Sequence, residues 1–221
     1  MWRHVLKRIA LFAVIIVVAA ALIFTITYVA ENRHDPAECV LAKPVIYLYP
    51  EEPTTVTVTL EVDGTLLSTW PTYENGWTVT AQPDGTLTDG DGNEYSYLFW
   101  DALSDTEWDF SQGFCVAGKD TGEFLRETLS SMGLTPKEYN EFIVCWLPLM
   151  EKNPYNLISF QSEVYEEHAK LNISPNPDSL LRVFMAWKAL DKPAEIAPQT
   201  LEPFEREGFC VIEWGGCEVT S

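Results

Sequence analysis

Histidine is scarce in this chain: three in 221 residues, with only His34 and His168 beyond residue 30. Serine and cysteine hydrolases use His as their base, so a nucleophile–base set has almost nothing to draw on. The string G-x-S-x-G does not occur, nor does H-E-x-x-H. Glu163, Glu167 and His168 lie close together, but a zinc site would need another ligand from elsewhere, and a solvated charged segment is the preferred reading. None of the cysteine contexts (AECV, GFCVA, IVCWL, GFCVI, GGCEV) matches an active-site string. Cys145 falls on the side of a predicted helix with Glu138 and Glu141, whose carboxylates would raise a thiol pKa, the wrong direction for a nucleophile. No catalytic residue, metal ligand or cofactor site is assigned. Internal repeats and low-complexity tracts are also missing.

Positive charge is the next shortage. Lys and Arg total 14 against 33 Asp and Glu. All the acids, and only 11 of the basic residues, lie beyond residue 30, a formal −22 for that part. Such a surface repels nucleic acid and anionic lipid heads, and both drop out as partners. It attracts cations, basic peptides or basic polymers; solubility is its plainer purpose.

Charge vanishes altogether between residues 9 and 29 (IALFAVIIVVAAALIFTITYV), just after Arg3, Lys7 and Arg8. As a helix this run is about 31 Å long, at roughly 1.5 Å per residue, against a hydrocarbon core of about 30 Å. Its Val, Ile, Leu and Phe residues favour insertion by on the order of 5 kcal/mol. The basic flank stays inside. The expectation is a cytoplasmic flank at 1–8, a transmembrane helix at 9–29, a linker at 30–43 and an extracytoplasmic domain at 44–221. A cleaved leader is the rival, but its apolar region would be shorter, and Tyr28 stands where a small residue is wanted.

The exported part is long enough to bury a full core. Residues 43–50 read as extended. TTVTVTLEV (54–62) alternates with period two, a half-buried strand. Asp63-Gly64 reads as a hairpin turn returning into TLLSTW. Residues 76–82 alternate again, Asp84-Gly85 is a second hairpin signal, and 94–100 is a further strand. Residues 44–100 are thus expected to form a β-meander or small sandwich. Residues 120–147 read as a helical hairpin packed on a sheet. Its first helix opens on an Asp120…Glu123 capping box and stops at Gly133-Leu134. The second opens on Thr135-Pro136-Lys137-Glu138, carries an apolar stripe (Tyr139, Phe142, Ile143, Trp146, Leu147) and ends at Pro148. Residues 157–162, 169–173 and 209–214 read as strands. Residues 180–190 fit helix or strand, with strand preferred, and 193–203 is a long connection. The class is α+β, with an antiparallel sheet under the helical hairpin.

Five cysteines (39, 115, 145, 210, 217) sit where disulfides are permitted, and the odd number leaves at least one out. A Gly215-Gly216 hairpin would set Cys217 opposite Trp214 and about 13 Å from Cys210, too far to bridge.

The strings KPVIYLYP (43–50), NGWTVTAQPDGTLTD (75–89), LTPKEYNEFIVCWLP (134–148), NPYNLISFQ (153–161) and GFCVIEWGG (208–216) resemble an uncharacterised family of membrane-anchored or exported proteins of Gram-positive bacteria. The resemblance covers nearly all of 43–216. It implies an extracytoplasmic location and a single domain. It carries over no activity and no functional residues.

Three ligand readings remain. Asp89, Asp91 and Asn93 begin like an EF-hand loop, but Glu94 stands at the glycine position and Trp100 at the final glutamate, so an ordinary turn is preferred. Paired carboxylates are too easily found among 33 acids to single out a glycosidase. Aromatic density from 70 to 114, with acids interleaved, fits stacking and hydrogen bonding to a wall glycan. The candidate binding residues are Trp70, Trp77, Trp100, Asp101, Asp105, Trp108 and Asp109, although some of the rings must be core. The expected function is a membrane-anchored, non-catalytic binding domain for a cell-wall component or envelope protein. The alternatives are a carboxylate-based glycan hydrolase and an accessory subunit of a membrane complex.

Overall fold

The structure, a computed structural model, describes Trp2 and residues 39–220; the predicted membrane helix at 9–29 lies outside them. Among the described residues no helix is long and apolar enough to cross a membrane.

Alternation builds the strands as the sequence suggests. In β2 (Thr54–Val62) Val56 and Val58 are buried while Thr55 and Thr57 face solvent. β2 belongs to a five-stranded sheet of order β10-β2-β4-β5-β6, with β4 Trp77–Ala81, β5 Leu87–Thr88, β6 Glu94–Tyr95 and β10 Ala169–Ser174. The other sheet has seven strands in the order β3-β7-β1-β12-β11-β9-β8. These are β1 Cys39–Tyr49, β3 Thr65–Trp70, β7 Leu98–Ser104, β8 Phe114–Ala117, β9 Tyr155–Phe160, β11 Ser179–Leu190 and β12 Cys210–Glu218. β11 and β12 run parallel, while every other pairing in this sheet is antiparallel.

Three layers result: small sheet, large sheet, helices. One core fills the space between the sheets, around Ile46, Val58, Leu98, Trp100, Phe184 and Val211. The other lies between the large sheet and the helices α1 (Thr121–Ser131) and α2 (Pro136–Met150), around Tyr47, Leu129, Phe142, Trp146, Met185 and Ile212. β11 and β12 feed both cores with alternate residues and so carry apolar side chains on both faces over most of their length. A short helix, α3 (Ser162–His168), leads into β10.

Several expectations change. Asp63-Gly64 is not a hairpin turn: β2 lies in the small sheet and β3 in the large one, so the chain changes layers there. Residues 44–100 are therefore not a meander, because their strands are shared between the two sheets that span the whole domain. Asp84-Gly85 does close a hairpin, with Thr80 opposite Thr88. Gly215-Gly216 is no turn; both lie inside β12, where Gly216 leaves room for the Trp146 ring. Cys210 and Cys217 thus stand at opposite ends of one strand, and Cys115, Cys145 and Cys210 form no disulfide. β1 starts at Cys39, inside the stretch read as linker. The Asp120 side chain caps nothing, whereas the Thr135–Glu138 capping box is present. α2 runs through Pro148 to Met150: the proline forfeits only the bond its own N–H would have made, and Glu151 N still donates to the Leu147 carbonyl at 2.9 Å.

One buried ion pair interrupts the inter-sheet core. Arg182 and Glu213 are register partners on β11 and β12, 2.5 Å apart from Nε to Oε2. Trp100 donates its indole N–H to Glu213 Oε1 at 3.1 Å, and Arg182 Nη1 donates to the Ala169 carbonyl at 2.6 Å. The guanidinium also lies 4.5 Å from the centre of the Tyr165 ring.

Candidate binding site: an aromatic cleft beside the edge of the large sheet

Cross-strand partners share a face of a sheet. Trp70 on β3 stands opposite Phe99 on β7, Phe99 opposite Val45 on β1, and Val45 opposite Trp214 on β12. These four side chains make one row across four strands, about 14 Å from end to end at roughly 4.8 Å per strand. The row lies on the helix-side face. Its Trp214 end is roofed by α2 and packs on Phe142, 5.2 Å between ring centres. Towards β3 the roof withdraws, leaving a cleft of about 710 Å³.

Asn140, Glu141, Val144 and Cys145 line it from α2, one side of a helix whose other side buries Phe142, Trp146 and Met150. Tyr97 lines it too, edge-on to Tyr47 with ring centres 5.5 Å apart. Tyr47 donates to Glu141 Oε2 at 2.6 Å, which fixes that carboxylate at the wall. Lys43 completes the lining. It is the one positive-φ residue other than glycine among the described residues, at φ 60°. The register of β1 slips here against both neighbours, between Ala42 and Val45 on one side and Leu41 and Val45 on the other. The bulge frees the Lys43 N–H from the ladder, and Asp101 Oδ1 takes it at 2.5 Å. A non-glycine residue held at positive φ costs of order 1–3 kcal/mol and persists only where its surroundings dictate it. Gly215 makes room for the bulge: a Cβ there would meet Pro44 Cγ at 3.0 Å.

The titrating groups are tuned for rest. Burial, helped by Glu141, pushes the Tyr47 hydroxyl far above its ordinary range, and burial raises Tyr97. Burial raises the Asp101 carboxyl against the opposing pull of the Lys43 N–H. It also raises the Cys145 thiol, with Lys43 acting the other way, so the sulfur is not an activated thiolate. His168 lies elsewhere, its Nδ1 3.3 Å from Asp63 Oδ2. The cleft can stack, desolvate and hydrogen-bond a ligand.

The sequence candidates scatter. Trp70, 61% exposed, forms the cleft wall. Asp101 sits behind Lys43 as its N–H acceptor. Trp77 and Trp100 are corrections: both are buried in the inter-sheet core, Trp77 donating to the Pro71 carbonyl and Trp100 to Glu213, so neither ring can face a ligand. Trp108 stacks on Phe184, 4.8 Å between centres, and is packed against the same core. Asp105 is exposed after β7, apart from the aromatic cleft. Asp109 caps Ser111 and borders a separate polar cleft of about 560 Å³ that also holds Glu163, Glu166, Arg182 and Glu202. Tyr95, Tyr97 and Phe99 do not share a face: Tyr95 packs against the inter-sheet core, the other two against the helix-side core. Sequence reasoning left out Lys43, Glu141 and Trp214. The Lys43-Pro44 pair was the available signal, since a proline inside an apolar strand marks a bulge. The EF-hand-like stretch is a turn, with the Asp89 carboxylate taken up by Asp91 N, Asn93 N, Asn93 Nδ2 and Tyr95 Oη.

The chain is 45% identical, over 62 residues or 27% of its length, to an uncharacterised protein from the bglA 3′ region of Butyrivibrio fibrisolvens. The match spans 64% of that protein. No family model matches the chain. No solved structure matches it.

Proposed function

We propose that this is a single-pass envelope protein, anchored by residues 9–29 with its N-terminus in the cytoplasm, whose α+β domain binds a component of the cell-wall space without catalysis. The Trp70 and Phe99 rings beside Glu141 carry the reading, because they offer ring faces and a fixed acceptor at the open end of a row whose Trp214 end is buried. The apolar run and the formal −22 of the remainder support the placement. Replacing Trp70 with Ala is expected to weaken binding of wall fragments about tenfold or more, as loss of an aromatic anchor does, with only a small change in thermal stability, because the ring is mostly exposed and loses an edge-on contact with Tyr95. Titration calorimetry with solubilised wall polymer and wall peptides checks this. Turnover of any wall polymer or peptide by the purified protein would overturn it. For the placement, protease added to intact cells is expected to digest residues beyond 30.

A carboxylate-based hydrolase is the second reading, favoured by the polar cleft, where burial raises the Glu166 carboxyl and Glu163 stands one helical turn away. Loss of turnover in Glu166→Gln would be its signature.

A further inference from the structure

We propose that the free edge of β3 and the mouth of the aromatic cleft together receive an extended basic peptide segment, which adds a strand to the large sheet and lays an apolar side chain against Trp70. The inference rests on reading the cleft as a binding site and names the class of its ligand.

β3 is a terminal strand and pairs only with β7; among the described residues nothing pairs with its outer edge. Such an edge presents backbone N–H and C=O groups to any extended chain. The opposite edge of the same sheet is treated differently: next to β8, Gly113 N donates to the Ala197 carbonyl, and Ala194 N to Cys115 Sγ at 3.3 Å. β3 (TLLSTW) has no charge and no proline within it, two of the usual guards of an edge. Its one irregularity is a bulge between Leu66 and Ser68, and Leu67 there is 55% exposed.

The edge and the cleft meet at Trp70, which ends β3 and walls the cleft. A strand added outside β3 would stand about 4.8 Å beyond it. Its residue opposite Trp70 would share the face of the ring row and continue it by one position. Trp70 and Val144, the latter 75% exposed, both line the cleft. An aliphatic side chain gains from covering by an apolar partner, whereas a glycan would bring hydroxyls against Val144 and leave them unpaired. A peptide supplies both an apolar side chain for the cleft and backbone groups for the edge. The strongly acidic surface selects a basic one.

The probe is a pool of capped short peptides that alternate Val or Phe with Lys or Thr, beside the same pool N-methylated at alternate residues to remove backbone donors. The full chain in mild detergent is titrated with each pool and with N-acetylhexosamine oligomers. Expected are saturable binding of the unmethylated pool, a loss of about tenfold or more on N-methylation, a similar loss in Trp70→Ala, and slowed amide exchange at Thr65–Trp70. Equal binding of the N-methylated pool would overturn the added strand and leave the cleft reading standing. Trp70-dependent binding of the sugar oligomers alone would replace the peptide with a glycan. A dimer formed through β3 would make a second copy the occupant and overturn the inference. If no probe binds, the cleft reading falls with it.

Discussion

A glutamate inside a core must have its charge answered, and Glu213 shows how locally that is done. It accepts from Arg182 and from the Trp100 indole, and its side chain is wholly buried. Removing one partner of such a pair strands the other in a low-dielectric interior. Glu213→Ala is therefore expected to lose about 3–5 kcal/mol, while the double change Arg182→Met, Glu213→Leu recovers most of it; urea unfolding midpoints decide. Asp89 acts at the surface and in the opposite sense to a buried acid. Hydrogen bonds from Asn93 and Tyr95 hold its pKa down at about 2, below an ordinary value of about 3.9. A depressed folded-state value gives stability that is present above the ordinary pKa and drains away as pH falls from about 3.9 to about 2. Asp89→Asn should flatten the pH dependence of unfolding in that window. The role of Glu213 could not be read in the chain. Glu213 is a lone charge in an otherwise apolar string (FCVIEWGGC), and its counter-charge arrives from another strand. Asp89 was legible as a turn residue, since its partners are its own near neighbours.

Elements were legible where the cause is local. The Thr135–Glu138 capping box and the stop at Gly133, where Leu134 N reaches back to the Leu129 carbonyl at 3.0 Å, are both formed. The alternation of β2 was equally plain. Strand partnership was not, because Asp63-Gly64 is chemically a good hairpin turn and yet lies where the chain steps between layers. Nothing short of the finished sheets distinguishes the two. Gly64 is required there by space: a Cβ would stand 2.1 Å from the Leu103 carbonyl oxygen. Gly64→Ala should therefore cost about 2–4 kcal/mol, by pushing β3 off β7. A thermal melt measures the loss, and hydrogen exchange should place it in β3 and β7. The candidate site shares this difficulty. Trp70, Phe99, Val45 and Trp214 are far apart in sequence, and only their register makes them a row; the individual rings could be named, but not their neighbours.

At the scale of the whole molecule, the earliest described strand and the latest are partners. Tyr49 stands opposite Cys210 and Ala42 opposite Gly216, in the middle of the seven-stranded sheet. Pairings this distant in sequence are slow to form, so refolding should take milliseconds to seconds, the range of non-local β proteins, in stopped-flow tryptophan fluorescence. Chains cut after residue 207 should not fold, and circular dichroism would show it. Synthesis proceeds from the N-terminus at roughly 5–20 residues per second, so β1 waits on the order of ten seconds for its mate. In that interval the growing polypeptide has an unfilled seam through its centre. Interrupted products keep that seam open, and it exposes them to proteolytic clearance until the final strand slides in.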